Sequence, residues 1–83
     1  MTIESVTDII NAAIEEAEHS PDIHGEGIIV HAVNKVREQL GITCNYTYCG
    51  GFDSTGYDID CYAIAFITTG GDLGIYDYQI ESY

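Results

Sequence analysis

Residues 36–48 read VREQLGITCNYTY, and the spacing of the apolar residues changes in the middle of this stretch. Before Gly41 the spacing is helical, with Val36 and Leu40 four positions apart. After Gly41 the spacing is two: the apolar or aromatic residues Ile42, Cys44, Tyr46 and Tyr48 alternate with Thr43, Asn45, Thr47 and Cys49, as in a strand. The sequence therefore predicts helices before Gly41 and strands after it.

Two helices are predicted upstream of Gly41. One covers residues 6–17 and the other residues 29–40, and in both the apolar positions follow the i, i+3, i+4, i+7 pattern of a helix with one buried stripe. Residues 19–27 contain a proline and two glycines and should connect the helices. Gly41 is placed to end the second helix.

Three strands are predicted downstream, near residues 42–49, 59–68 and 73–80. Gly50 and Gly51 should end the first strand, and residues 52–58 should form a long hairpin loop. Residues 69–72, with two glycines, predict a tight hairpin turn. The expected fold is α+β, with two N-terminal helices packed on one side of a three-stranded antiparallel sheet (ααβββ), in a single domain of residues 1–83.

The second strand is apolar on both faces, which is typical of a central strand. We expect the helices to pack on the face with Ala63 and Ala65, because small side chains permit a close approach. Tyr62, Tyr76 and Tyr78 would then lie on the opposite, partly exposed face.

The chain has 83 residues, 46% of them hydrophobic, and one proline, so it should fold. Fourteen acidic residues face only Lys35 and Arg37, for a net charge of -12. This charge disfavours direct binding to nucleic acid or an anionic membrane and favours a basic partner. The alternative is that the acidity serves solubility alone.

The cysteines, Cys44, Cys49 and Cys61, are odd in number, and the N-terminus lacks a basic segment followed by an apolar one. No apolar run approaches the roughly 20 residues that cross a bilayer. We expect a cytoplasmic protein with reduced thiols.

One side of the first helix carries Glu4, Asp8, Glu15 and Glu18, which we call the acidic ridge. These carboxylates fall within a wedge of roughly 80° opposite the apolar stripe. No lysine is interleaved with them, so like charges repel by a few tenths of a kcal/mol per pair. A solvated helix face is the alternative explanation.

All seven tyrosines follow Gly41, and tryptophan is absent. Tyrosine is enriched at recognition surfaces, although it is also common in strands. The candidate partner-binding residues are Glu4, Asp8, Glu15, Glu18, Glu16, Asp22, Glu26, Tyr57, Tyr76 and Tyr78.

No catalytic or cofactor motif is recognised, and we expect no enzyme, metal or cofactor. The residues available for a zinc or nucleophilic site are His19, His24, His31 and Cys49, but they lack the paired spacing of zinc ligands. The glycine-rich residues 50–56 lack a phosphate-binding lysine. The acidic positions 53, 58 and 60 do not match a calcium-binding loop.

A very short, acidic chain without catalytic motifs resembles the small phage-encoded inhibitors of bacterial defence, such as anti-CRISPR proteins and DNA-mimicking anti-restriction proteins. The resemblance lies in size, charge and the acidic ridge, and covers no alignable motif. It implies a stoichiometric inhibitor in the bacterial cytoplasm that occupies the basic surface of a nucleic-acid-binding effector complex. Three alternatives stay open: an immunity or antitoxin protein that neutralises a basic nuclease, a small metal-binding or enzymatic protein, and a structural subunit that forms a homodimer through its sheet.

Overall fold

Two helices precede three strands in the computed structural model, which describes residues 1–82 apart from the side chains of Ser54 and Ser82. The elements are α1 (Ile3–Glu18), α2 (Glu26–Leu40), β1 (Cys44–Ser54), β2 (Tyr57–Ile67) and β3 (Leu73–Ser82). The strands form one antiparallel sheet in the order β1-β2-β3. The predicted α+β fold, with two helices followed by a three-stranded antiparallel sheet, is confirmed.

The start of α1 and the end of α2 are each fixed by capping hydrogen bonds. At the start of α1, the Ser5 N–H donates to Thr2 Oγ1 over 3.1 Å, and the Thr2 N–H donates to Ser5 Oγ over 2.9 Å. At the end of α2, Gly41 adopts the left-handed conformation with φ 64° and donates its N–H to the Arg37 carbonyl. The Arg37 side chain then donates Nε–H to the Cys44 carbonyl over 2.8 Å, which ties the end of α2 to β1.

The prediction of a long loop at residues 52–58 is wrong. β1 continues to Ser54, which pairs with Tyr57, so that only two residues turn the chain into β2. Gly50 does not end β1: the register shifts between Tyr48 and Gly50, and Gly50 has φ 105°. Cys49 and Gly50 make a β-bulge inside a longer strand, because Gly50 tolerates the positive φ at this bulge, and Gly51 pairs regularly with Asp60.

The predicted orientation of the sheet is also wrong. Ile64 and Phe66 are buried beneath the helices, whereas Ala65 is exposed on the opposite face. Burying the larger side chains removes more apolar surface from water. Gly74, which lies opposite Phe66 in β3, leaves room for the Phe66 ring, which a Cβ at position 74 would overlap.

The helices cover only one end of the sheet. An 11-residue strand is about 36 Å long and a 16-residue helix about 24 Å, and the molecule measures 43 × 25 × 16 Å. The fully buried strand residues Cys44, Ile64 and Phe66 lie near the end where β1 begins. Among residues 1–82, no helix combines the length and apolarity required to span a membrane.

Candidate functional site

The four side chains of the acidic ridge, Glu4, Asp8, Glu15 and Glu18, are all exposed on α1. They lie there because α1 turns its other side, with Val6, Ile10 and Ala17, into the core. Within residues 1–82 none of the four forms an ion pair, and no basic residue belongs to α1. The ridge is therefore an uncompensated row of negative charge.

Two other predicted carboxylates are already engaged within the protein. His31 Nε2 lies 3.0 Å from Glu16 Oε1 and joins α2 to α1. The Tyr46 hydroxyl donates to Glu26 Oε1 over 3.0 Å, and this hydrogen bond is the main reason that the pKa of Tyr46 is raised. Asp22 is exposed in the turn between the helices.

The predicted tyrosines do not form an exposed aromatic face. Tyr76 and Tyr78 are half-buried against the core beneath α1. The Tyr76 hydroxyl donates to Asn11 Oδ1 over 2.5 Å. Burial, and then the neighbouring Glu18, raise the pKa of Tyr78. Tyr57 is half-buried at the start of β2, rather than in a loop.

Four exposed apolar residues of the sheet lie instead on the face turned away from the helices, which we call the open face. Phe52 is 52% exposed, Ile67 44%, Leu73 62% and Ile75 63%. The pairs Ala65–Ile75 and Ile67–Leu73 place three of these residues and Ala65 side by side across β2 and β3. Sequence reasoning missed this surface because it assigned the helices to the wrong face.

The turn between β1 and β2 lies in an acidic end of the sheet. Asp53 and Asp58 are directly paired across the two strands. The hydrogen bond that the protonated Asp58 carboxyl donates to Asp53, followed by the repulsion of the Asp53 charge, raises the pKa of Asp58. The Tyr48 hydroxyl donates to Asp60 Oδ1 over 3.0 Å beside these residues.

A shallow depression of about 480 Å³ lies at this end, lined by Tyr48, Gly51, Phe52, Asp53, Asp58, Ile59 and Asp60. Within residues 1–82, no three histidine, cysteine or acidic side chains converge in a way that would hold a metal ion.

The residues considered for a zinc or nucleophilic site are dispersed. His31 is bound to Glu16, and the His19 ring donates to the Glu15 carbonyl over 2.8 Å. Cys49 is exposed at the bulge in β1 and Cys44 is buried, where burial raises the pKa of its thiol.

Two surfaces of the described residues are suited to a partner: the acidic ridge and the open face. No protein-family model, curated protein or solved structure matches this chain.

Proposed function

We propose that this protein is a non-catalytic inhibitor of a nucleic-acid-binding bacterial defence complex, similar in action to anti-CRISPR or DNA-mimicking proteins. It binds the basic surface of that complex in the bacterial cytoplasm and keeps nucleic acid from entering. It binds neither nucleic acid nor a membrane itself. The observation that carries this proposal is the acidic ridge, a row of four exposed carboxylates without a cation among them.

The length of the ridge suits such a surface. From Glu4 to Glu18 the helix rises about 21 Å, which is the axial length of about six base pairs at 3.4 Å each. A groove that binds phosphates with lysine and arginine would attract these carboxylates from a distance. The ridge is also rigid, because it is built on a capped helix whose other side is packed into the core.

Charge alone gives fast association but little residence time, since exposed ion pairs contribute about 1 kcal/mol or less each. Short-range contacts must slow release. The half-buried Tyr76 and Tyr78 do not offer their rings to a partner, whereas Leu73 and Ile75 are largely exposed. We assign the short-range contacts to the open face.

The test is an affinity capture from bacterial lysate, in which the bound proteins are identified and their activity on nucleic acid is measured. The ridge variant replaces all four carboxylates by glutamine, which keeps the helix because glutamine is a good helix former. A matched control removes four charges elsewhere, by E38Q, D53N, D58N and D72N.

We expect the ridge variant to lose at least about tenfold in affinity and inhibition, which corresponds to about 0.35 kcal/mol for each of four charges. The control should lose less than the ridge variant. If both variants inhibit alike, total charge and not the ridge determines binding. If the capture yields a nuclease toxin and no defence complex, the protein acts as an immunity protein and the proposed target is wrong.

A further inference from the structure

The outer edge of β3 is open to another strand. Within residues 1–82, β3 pairs only with β2, and its ladder runs from Asp58–Ser82 to Ile67–Leu73 without a bulge. Proteins usually protect edge strands by a bulge, a proline or charged side chains, and β3 has no bulge, no proline and no cation, its only charges being Asp77 and Glu81. The other edge strand, β1, is interrupted by its bulge at Tyr48–Gly50. β3 is therefore the better acceptor for strand addition.

A strand added to β3 would meet two different rows of side chains. On the open face it would meet Leu73 and Ile75, the two most exposed large hydrophobic residues of the described chain, followed by Asp77 and Glu81. The alternation of residues along a strand means that every second side chain of the added strand would contact this row.

The other side chains of the added strand would face α1, which lies over β3. The contacts of Tyr76 with Asn11 and of Tyr78 with Glu18 place this part of α1 above the strand. Glu18, the last residue of the acidic ridge, is therefore next to the β3 edge. A basic side chain at these positions would reach a carboxylate.

The charge distribution determines which kind of strand fits. Residues 42–83 contain six acidic residues and no lysine or arginine, and both cations of the chain, Lys35 and Arg37, belong to α2. A second copy of this chain would bring another charge of -12 without any complementary row.

We infer that the β3 edge binds an extended segment of a protein partner in which apolar residues alternate with lysine or arginine. Its main chain extends the sheet, its apolar side chains on the open face cover Leu73 and Ile75, and its basic side chains, which face α1, reach Glu18. This inference rests on the proposed function only in taking the partner to be basic.

Two synthetic peptides test the inference with the intact protein: one alternates valine with lysine, and the other alternates valine with glutamate. Binding is followed by the amide NMR signals and hydrogen exchange of the labelled protein at 0.1 M salt. We expect the lysine peptide alone to bind, to shift the amides of β3 and to slow exchange of its outward N–H groups. The variant I75T should weaken this binding about fivefold through lost apolar burial. The control F52T, at the far edge of the open face, should not.

Binding of both peptides with equal affinity would overturn the inference, as would a dimer whose contact covers β3 in the absence of peptide. Shifts confined to α1 would overturn strand addition and leave the proposed function in place. In the lysate capture, the ridge variant could lose the partner while I75T retains it fully. This result would likewise overturn strand addition and leave the proposed function in place. Failure of the lysine peptide to bind would also overturn the inference. The proposed function is tested separately, by the ridge variant.

Discussion

At the scale of single residues, the acidity that we propose attracts a basic partner destabilises the fold where carboxylates face each other. Asp53 and Asp58 form a cross-strand pair next to the β1–β2 turn. Like charges directly opposite in a sheet are destabilising. The raised pKa of Asp58, caused by the hydrogen bond and charge of Asp53, reports this conflict.

The pair makes stability depend on pH in a defined direction. Because the pKa of Asp58 is higher in the folded protein than in the unfolded chain, the folded state holds its proton more tightly. The stabilisation from this group is complete below its unfolded pKa and is lost as pH rises through its folded pKa. The variant D53N removes the opposing charge, so it should raise stability at neutral pH and reduce the gain in stability on acidification.

Urea unfolding followed between pH 4 and pH 7 measures this effect. The control is D72N, which removes one charge from the turn between β2 and β3. Equal stabilisation by D53N and D72N would mean that net charge, and not the pair, is responsible.

At the scale of secondary structure, the order and type of all five elements follow from the hydrophobic spacing, and Gly41 ends α2 as its position predicts. Two features do not follow from local pattern. Gly50 and Gly51 suit a strand end and a bulge equally well, and only the pairing with β2 distinguishes them. Similarly, β2 is apolar on both faces, so its sequence does not fix the face that the helices cover.

In the candidate site, too, some features follow from the local sequence and others depend on contacts between distant residues. The acidic ridge follows from helical spacing alone, because four carboxylates at that spacing must share one side of α1. The engagement of Glu16 and Glu26 depends on contacts with residues 31 and 46, distant in sequence, which no local pattern contains. The glycine at position 74 was the available signal for the covered face, since it alternates with bulky residues in β3.

Gly74 should therefore tolerate substitution poorly. A Cβ at this position would overlap the Phe66 ring, which is buried beneath the helices, so that the ring or β3 must move. We expect G74A to lower the free energy of unfolding by about 1–3 kcal/mol, the usual cost of overpacking a core. Chemical denaturation measures the change.

The control G70A adds the same methyl group at an exposed position in the turn after β2, where the nearest atom is 3.7 Å away. It should change stability by less than about 0.5 kcal/mol, as is usual for surface substitutions. Similar losses in both variants would contradict the assignment of the Phe66 face as the covered one.

At the scale of the whole molecule, the acidic ridge and the open face lie on opposite sides of the sheet, and the β3 edge lies between them. A partner bound at this edge would contact both surfaces without enclosing the protein. In the proposed complex this arrangement would separate two roles: carboxylates on both sides would attract the partner, and Leu73 and Ile75 would contribute the contacts that hold it.

The net charge of -12 then predicts opposite effects of salt on folding and on binding. Raising the salt concentration from 0.1 M to 1 M shortens the Debye length from about 10 Å to about 3 Å. Screening relieves repulsion within the chain, so the unfolding temperature should rise. Screening also weakens attraction to a basic partner, so the association rate should fall by at least about tenfold. The dissociation rate should change less, because apolar contacts at the open face are not screened. Thermal unfolding, together with surface-based kinetics on the captured partner, measures all three quantities. If salt leaves the association rate unchanged while the unfolding temperature rises, the acidity shapes the stability of the protein and has no part in finding its partner.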